Sequence, residues 1–247
     1  MTQVTAALLI IGDEILSGRT EDKNASYIAR FLNEVGIILT EVRIIPDIAD
    51  TIAENVNHLR GQYDYLFTTG GIGPTHDDIT APSIAQAFDV PLTIHPKAYE
   101  TLLNYYGQEN FTPARQRMAR TPEGASLINN PVSLAPGFQL DNVFTLAGVP
   151  KIMQAMLEDV RPRLKGGTTI TALDITLNVG ESLIADYLAS LQKENPTVSI
   201  GSYPFYGENR HGVQIVIRSS DPKAAETALQ DLHNFAENQG IRMSDKN

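Results

Sequence analysis

Cysteine is absent from this chain of 247 residues. That excludes a disulfide, a thiolate nucleophile and a cysteine-ligated zinc site, and it fits a reducing cytoplasm, where the protein is expected. No stretch of about 18 apolar residues occurs, so no membrane-spanning helix is expected. Met1 to Ala7 carry no basic segment leading into an apolar one, so no signal peptide is expected. Basic residues are scarce against acidic ones: 19 Lys and Arg face 29 Asp and Glu, a formal charge of −10. A surface of that sign repels nucleic acid and anionic lipid, and neither is expected as a partner. An anionic ligand must then be held by local N–H groups, an arginine or a metal. There is no internal repeat and no low-complexity tract. What is present is ordinary for a globular chain: 42% hydrophobic and 19% charged, long enough for one large domain or two smaller ones.

The stretch that organises the rest is Thr69-Gly70-Gly71-Ile72-Gly73-Pro74-Thr75-His76-Asp77-Asp78-Ile79-Thr80. An apolar run, Tyr65 to Thr68, precedes it, and a helical pattern, Ala81 to Phe88, follows. The order is strand, glycine loop, helix. Three glycines in four residues let backbone N–H groups crowd round an anion without Cβ interference. The helix adds the positive end of its dipole. Asp77 and Asp78 at the loop exit would repel that anion unless a divalent cation lay between them. The loop reads as a phosphate or diphosphate site with metal assistance. The plainer alternative is a glycine turn with Asp78 as a helix cap.

Upstream, Ala6 to Ile11 is a continuous apolar run ended by Gly12, as in a strand buried on both faces of a parallel sheet. Asp13 and Glu14 follow at once, where open α/β sheets place their ligands. Tyr27, Ile28, Phe31, Leu32 and Val35 recur at helical spacing before Gly36. Ile37 to Ile45 is a second strand closed by Pro46-Asp47, and a helix with Ile52, Val56 and Leu59 leads to the third. The order β-α-β-α-β-loop-α predicts a mostly parallel sheet between two helical layers. It sets Gly12-Asp13-Glu14, Asp47 and the glycine loop along one edge. Asp47 after a proline is equally a turn residue, Glu14 could pair with Arg19, and His76 reads as a solvated loop side chain. His95, His211 and His233 have no metal-binding spacing.

Further on, a helix with Tyr99, Leu102, Leu103 and Tyr106 is followed by a short segment bearing Arg115, Arg117 and Arg120. Those arginines read either as a solvated face or as a phosphate contact. Val143 to Leu146 is another strand, and Pro150 opens a helix reaching about Leu164. Lys165-Gly166-Gly167 is the best linker. Beyond it, Thr168 to Val179, a helix from Gly180-Glu181-Ser182 with Leu183, Ile184, Tyr187, Leu188 and Leu191 inward, strands Val198 to Tyr203 and Val213 to Arg218, and a helix from Asp221-Pro222 follow. Gly207 to Gly212 reads as the hairpin connection. The expected division is residues 1–165, an α/β domain of three layers, and residues 168–247, a small α+β domain.

Four spaced motifs carry a family resemblance. Ile11-Gly12-Asp13-Glu14-Ile15-Leu16-Ser17-Gly18, with Asp22 and Asn24, resembles the first motif of the molybdopterin-binding-domain superfamily (MoaB/Mog-like), in the branch of the competence/damage-inducible protein CinA. Thr69 to Thr75 with Asp77-Asp78-Ile79-Thr80 resembles the second. Asn130-Pro131 with Ala135-Pro136-Gly137, and Gly148-Val149-Pro150, resemble the third and fourth. The tail from Gly180 to Pro204 is similar to the small domain that follows in this branch, which also includes the hydrolase-like half of eukaryotic FAD synthetase. Ala147 stands where the branch usually has proline, and Lys23 where threonine is common. No stretch matches a nicotinamide-nucleotide amidase or an adenylyltransferase domain, so neither activity is expected.

The resemblance implies a metal-dependent pyrophosphatase acting on nucleoside diphosphate derivatives such as ADP-ribose or FAD. The alternative is a binder of molybdopterin or another pterin phosphate without hydrolase activity, and a third is a regulatory or assembly module. On the first reading, Gly12, Asp13, Glu14, Asn24, Thr69, Gly70, Gly71, Gly73, Pro74, Thr75, Asn130, Pro136 and Gly137 bind substrate. Asp13, Asp77 and Asp78 hold a divalent ion (Mg, Mn or Co), and Asp47, Asp77 and Asp78 are the catalytic set, with one carboxylate, Asp47 for choice, as general base. The expected partner is a small-molecule nucleotide or pterin phosphate, and the family resemblance adds self-association as a homo-oligomer.

Overall fold

The computed structural model of the chain describes residues 3–207 and 210–244. The chain divides into two compact units, Met1–Gly167 and Thr168–Asn247.

The first unit begins with β1 (Val4–Ile11), a four-residue helix α1 (Asp13–Leu16), α2 (Asn24–Glu34), β2 (Ile37–Ile45), α3 (Ala49–Gln62) and β3 (Tyr65–Thr69). After the glycine loop come α4 (Thr80–Ala87), β4 (Leu92–Ile94), α5 (Pro96–Tyr106), α6 (Pro113–Gln116), β5 (Arg120–Pro122), β6 (Ser126–Ile128), β7 (Gly137–Leu140), β8 (Val143–Leu146) and α7 (Pro150–Val160). Six strands form one sheet in the order β2-β1-β3-β8-β7-β6. β1 pairs in parallel with both β2 and β3, and β3 in parallel with β8. β7 alone runs against its neighbours β8 and β6. The sheet is therefore mostly parallel, as the element order predicts.

β1 shows why its apolar run was needed. Alternate residues leave a strand on opposite faces. Ala6, Leu8 and Ile10 pack with Ile28, Phe31 and Leu32 of α2 and Met153, Met156, Leu157 and Val160 of α7. Ala7, Leu9 and Ile11 pack with Ile52, Val56 and Leu59 of α3 and Ile84 of α4. Both faces are covered, so neither set of side chains can be polar. β1 also lies at the switch point of the sheet: the chain leaves it first for β2 on one side, then crosses to β3 on the other. A crevice forms between diverging loops at such a point.

The second unit comprises β9 (Thr171–Leu177), α8 (Ala185–Glu194), β10 (Val198–Gly207), β11 (Arg210–Ser219), α9 (Pro222–Asn238) and β12 (Met243–Ser244), with an antiparallel sheet in the order β10-β11-β9-β12. Its core gathers Leu177, Ile184, Leu191, Val213, Ile215, Ile217, Ala228 and Leu232. Two expectations are corrected here. Strand pairing extends into the expected hairpin connection, with Gly207 paired to Arg210 and Phe205 to Gly212, and residues 208 and 209 between them lie outside the described residues. Gly212 is no turn residue: a Cβ there would lie 2.5 Å from the Leu177 carbonyl oxygen and 2.9 Å from the Phe205 ring. Leu183 is 76% exposed rather than inward, because Glu181–Leu183 is a 3-10 turn that rotates it off the α8 face. Among the described residues, no helix is long and apolar enough to cross a membrane.

Candidate functional site

The carboxyl ends of β1, β2, β3 and β8 share one edge of the sheet, so the segments after them meet. A cleft of about 490 Å³ opens there, lined by Glu14 and Thr20 after β1, Gly70 to Pro74 and Asp78 after β3, Asn130, Ser133 and Ala135 before β7, and Ala147 to Pro150 after β8. Met118 and Ile152 complete an apolar wall.

The glycine loop is built from inside. Gly70 has φ +101°, and a Cβ on it would sit 2.1 Å from the Ile11 carbonyl oxygen. Gly71 has φ +63°, and its Cβ would fall 2.3 Å from Thr80 Oγ1. Neither position accepts a side chain. The Thr80 hydroxyl donates to the Gly70 carbonyl at 2.9 Å, and the Thr80 N–H to the Gly71 carbonyl at 3.0 Å. Asp78 folds back into the loop. Its carboxylate accepts the Gly73 N–H at 2.7 Å, the Thr75 N–H at 2.7 Å and the Thr75 hydroxyl at 2.5 Å. It makes no side-chain cap on α4; it braces the turn. The Gly70 N–H reaches the Leu146 carbonyl at 3.3 Å. Gly71 and Ile72 are among the cleft residues whose N–H groups have no partner among the described residues, as are Ala147, Gly148 and Val149 after β8, and such amides are open to an anion.

The acids converge in part. Asp47 Oδ2 accepts the Asp13 N–H at 2.9 Å, tying the turn after β2 to the start of α1. Burial pushes the Asp47 carboxyl above its ordinary range, and the charges of Asp13, Glu14 and Asp77 push the same way against that N–H bond. Segments following three successive strands thus share one electrostatic neighbourhood. Glu14 lines the cleft and lies over Gly12, where a Cβ would be 2.6 Å from its carboxylate; no ion pair to Arg19 exists among the described residues. Asp13, Asp47 and Asp77 are not part of the cleft wall. Among the described residues, no three His, Asp or Glu side chains surround a common point that could hold a metal ion. His76 is solvated, with its side chain 95% exposed.

Other named residues take varied places. Asn24 begins α2 and donates to the Gly148 carbonyl at 2.8 Å. Asn130 is buried, its amide filled by Ser133, the Ala135 carbonyl and the N–H groups of Val132 and Ser133. It shapes the turn and presents no free group to a ligand. Gly137 lies inside β7, where a Cβ would meet the Thr145 carbonyl oxygen at 2.3 Å. Pro136 borders a small hollow of about 50 Å³ behind the glycine loop with Arg117 and Arg120. Arg117 donates to the Thr75 carbonyl at 3.5 Å. Arg115 instead stacks on Tyr106 at 4.1 Å and donates to the Asn110 carbonyl. Thr20 and Ser133 carry no distinguishing sequence signal, whereas Ile72 and Thr80 lie within the glycine-loop motif, whose pattern does not tell a brace from a binding residue.

Comparison with known proteins decides the family. The probable molybdopterin binding domain family matches residues 7–166, and the FAD synthase middle domain family matches residues 169–245. The solved structure of the protein CinA from Thermoplasma acidophilum, titled as of unknown function, is 33% identical with a TM-score of 0.62, covering 66% of this chain and 99% of that one. The chain belongs to the molybdopterin-binding-domain family, in its CinA branch. Within this family, a protein from Archaeoglobus fulgidus is 36% identical over 80% of this chain and 84% of its own length. A CinA-like protein from Desulfosudis oleivorans is 34% identical over 92% of this chain, which spans 57% of that relative.

Proposed function

We propose that this CinA-branch protein hydrolyses the diphosphate bond of nucleoside diphosphate derivatives of the ADP-ribose or FAD class, with a divalent ion. The observation that carries this reading is Asp47: a carboxyl pushed upward by burial and by the charges of Asp13, Glu14 and Asp77, at the same sheet edge as a glycine loop whose Gly71 and Ile72 amides are open. A carboxyl with a raised pKa at the sheet edge that carries an anion site is suited to taking a proton.

The donor set fits a hard cation. Mg²⁺-type ions are commonly held by one or two carboxylates plus water and substrate phosphates rather than by an all-protein cage. Asp13 and Asp77 are the exposed carboxylates for that role, while Asp78 keeps the loop in shape. When bound, Mg²⁺, Mn²⁺ or Co²⁺ would neutralise charge at phosphorus and make a bound water more acidic. The chain's own part is as follows. The Gly71 and Ile72 N–H groups and the α4 N-terminus hold one phosphate. Arg117 and Arg120 lie on the far side of the loop and offset its charge. A water oxygen bonds to phosphorus, the bond from phosphorus to the bridging oxygen breaks, and the bridging oxygen leaves with the electron pair as a phosphate monoester. The proton released by the water goes to the Asp47 carboxylate.

A second reading, a pterin-phosphate binder, is favoured by one observation: the apolar wall of Met118, Ala135, Val149 and Ile152 suits a flat ring. One experiment separates the two. The protein is incubated with ADP-ribose, FAD and NADH, with and without Mg²⁺, Mn²⁺ or Co²⁺, and AMP is quantified. Ion-dependent AMP release is expected from at least one of them. No release from any, together with molybdopterin carried through purification, overturns the hydrolase in favour of the binder.

A further inference from the structure

Asn24 is the first residue of α2, yet its side chain does nothing for that helix. The opening N–H groups of α2 belong to Asp22, whose carboxylate accepts those of Asn24 at 2.8 Å and Ala25 at 3.2 Å. The Asn24 side chain reaches across 124 positions of sequence instead, and its NH2 donates to the Gly148 carbonyl at 2.8 Å. The end facing Gly148 must be the NH2, since a carbonyl only accepts. The other end, Oδ1, is buried without a partner among the described residues and out of reach of any ligand. An unpartnered buried oxygen weakens folding. What Asn24 supplies against that is a single bond, so its role lies at the Gly148 carbonyl.

Fixing that carbonyl fixes a neighbour as well. The Gly148–Val149 peptide is trans, so its C=O and the Val149 N–H point in opposite directions. Asn24 borders a side cavity of about 60 Å³, Val149 borders the main cleft, and Gly148 borders both. With the carbonyl held on the Asn24 side, the Val149 N–H turns to the cleft side, where it has no partner among the described residues. A flipped peptide would present an oxygen there and repel an anion. The segment also lies against the glycine loop: a Cβ on Gly148 would sit 3.2 Å from the Gly70 Cα. Glycine at both positions lets the two backbones come this close. Amides from both loops thereby border one space, Gly71 and Ile72 from one side and Val149 from the other. A ligand with two linked phosphates can meet both sets.

We propose that Asn24 is a positioning residue: it orients the Gly148–Val149 peptide so that the Val149 N–H holds the second phosphate of a diphosphate whose first rests on Gly71 and Ile72. This rests on the nucleotide reading above. The test is amide NMR of the ¹⁵N-labelled full chain, titrated to saturation in EDTA with ADP and with inorganic pyrophosphate, which has both phosphates and no ring to shift signals. The Val149 and Ile72 signals are both expected to move with either ligand. In Asn24→Ala, Ile72 is expected still to move, Val149 to stay in place, and ADP affinity to fall at least about fivefold. The substitution removes an unpartnered oxygen together with one bond, so the variant is expected to stay folded, as a thermal melt checks. Asn24→Leu, which fills the space without a donor, stands in if it does not. A wild-type Val149 signal left in place while Ile72 moves overturns the proposal and leaves the nucleotide reading standing. Silence of both signals with both ligands overturns the two together. A Val149 signal that still moves in a folded variant, or an unchanged ADP affinity, also overturns the proposal, because Asn24 would then only tie two segments together.

Discussion

Asp47 has opposite effects on folding and on chemistry. Its folded pKa is raised, by burial first and then by neighbouring charge, so the folded state holds this proton more tightly than the unfolded one. Its stabilising contribution is complete below the ordinary carboxylate range and is lost as pH rises through the folded value. Asp47→Asn removes the half-buried charge and keeps an acceptor for the Asp13 N–H. Thermal melts should show a higher Tm for the variant at pH 7, with the difference closing as pH falls towards 4. Asp78 acts in the opposite way. Its carboxylate joins Gly73 and Thr75, and Asp78→Ala should cost about 1–3 kcal/mol in urea unfolding, since hydrogen bonds to a charged group are removed. Binding of anions should weaken with it. The acidic positions were legible from sequence, as polar residues after apolar strands. Their separate duties were not: a carboxylate that braces a turn and one that faces an ion have the same letter.

At the scale of elements, the glycine loop is a rigid piece of backbone. Gly70→Ala meets a left-handed conformation and the Ile11 carbonyl at 2.1 Å. The conformational part alone is worth about 1–3 kcal/mol, so denaturant midpoints should fall clearly, with anion binding lost. Strands buried on both faces announce themselves: Ala6 to Ile11 could be nothing else, and the glycine loop between β3 and α4 was equally plain. Short or marginal elements do not. The four residues of α1 show no periodicity, and the three residues each of β4, β5 and β6 carry too little pattern to read. Gly207 and Gly212 look like turn punctuation, so the pattern alone makes the hairpin of β10 and β11 shorter than it is. Gly212 in fact makes room for the Leu177 carbonyl and the Phe205 ring.

In the whole molecule, each unit closes its own hydrophobic core: two clusters flank the sheet of the first, and one fills the second. We propose on that basis that residues 1–167 fold alone and carry the whole site. Expressed separately, they should melt cooperatively and bind ADP within about threefold of the full chain, since every residue assigned to the site lies before Gly167. Loss of binding in a folded fragment would assign the second unit a share in the site.

The central claim is that acids following successive strands work together on a diphosphate held by the glycine loop. It is tested most directly by AMP release from ADP-ribose with Mg²⁺, Mn²⁺ or Co²⁺, run side by side for the wild type and Asp47→Asn. Release by the wild type is predicted, with the variant at least about 100-fold slower at unchanged substrate affinity. Equal rates in the two proteins, or no release by either, would contradict it.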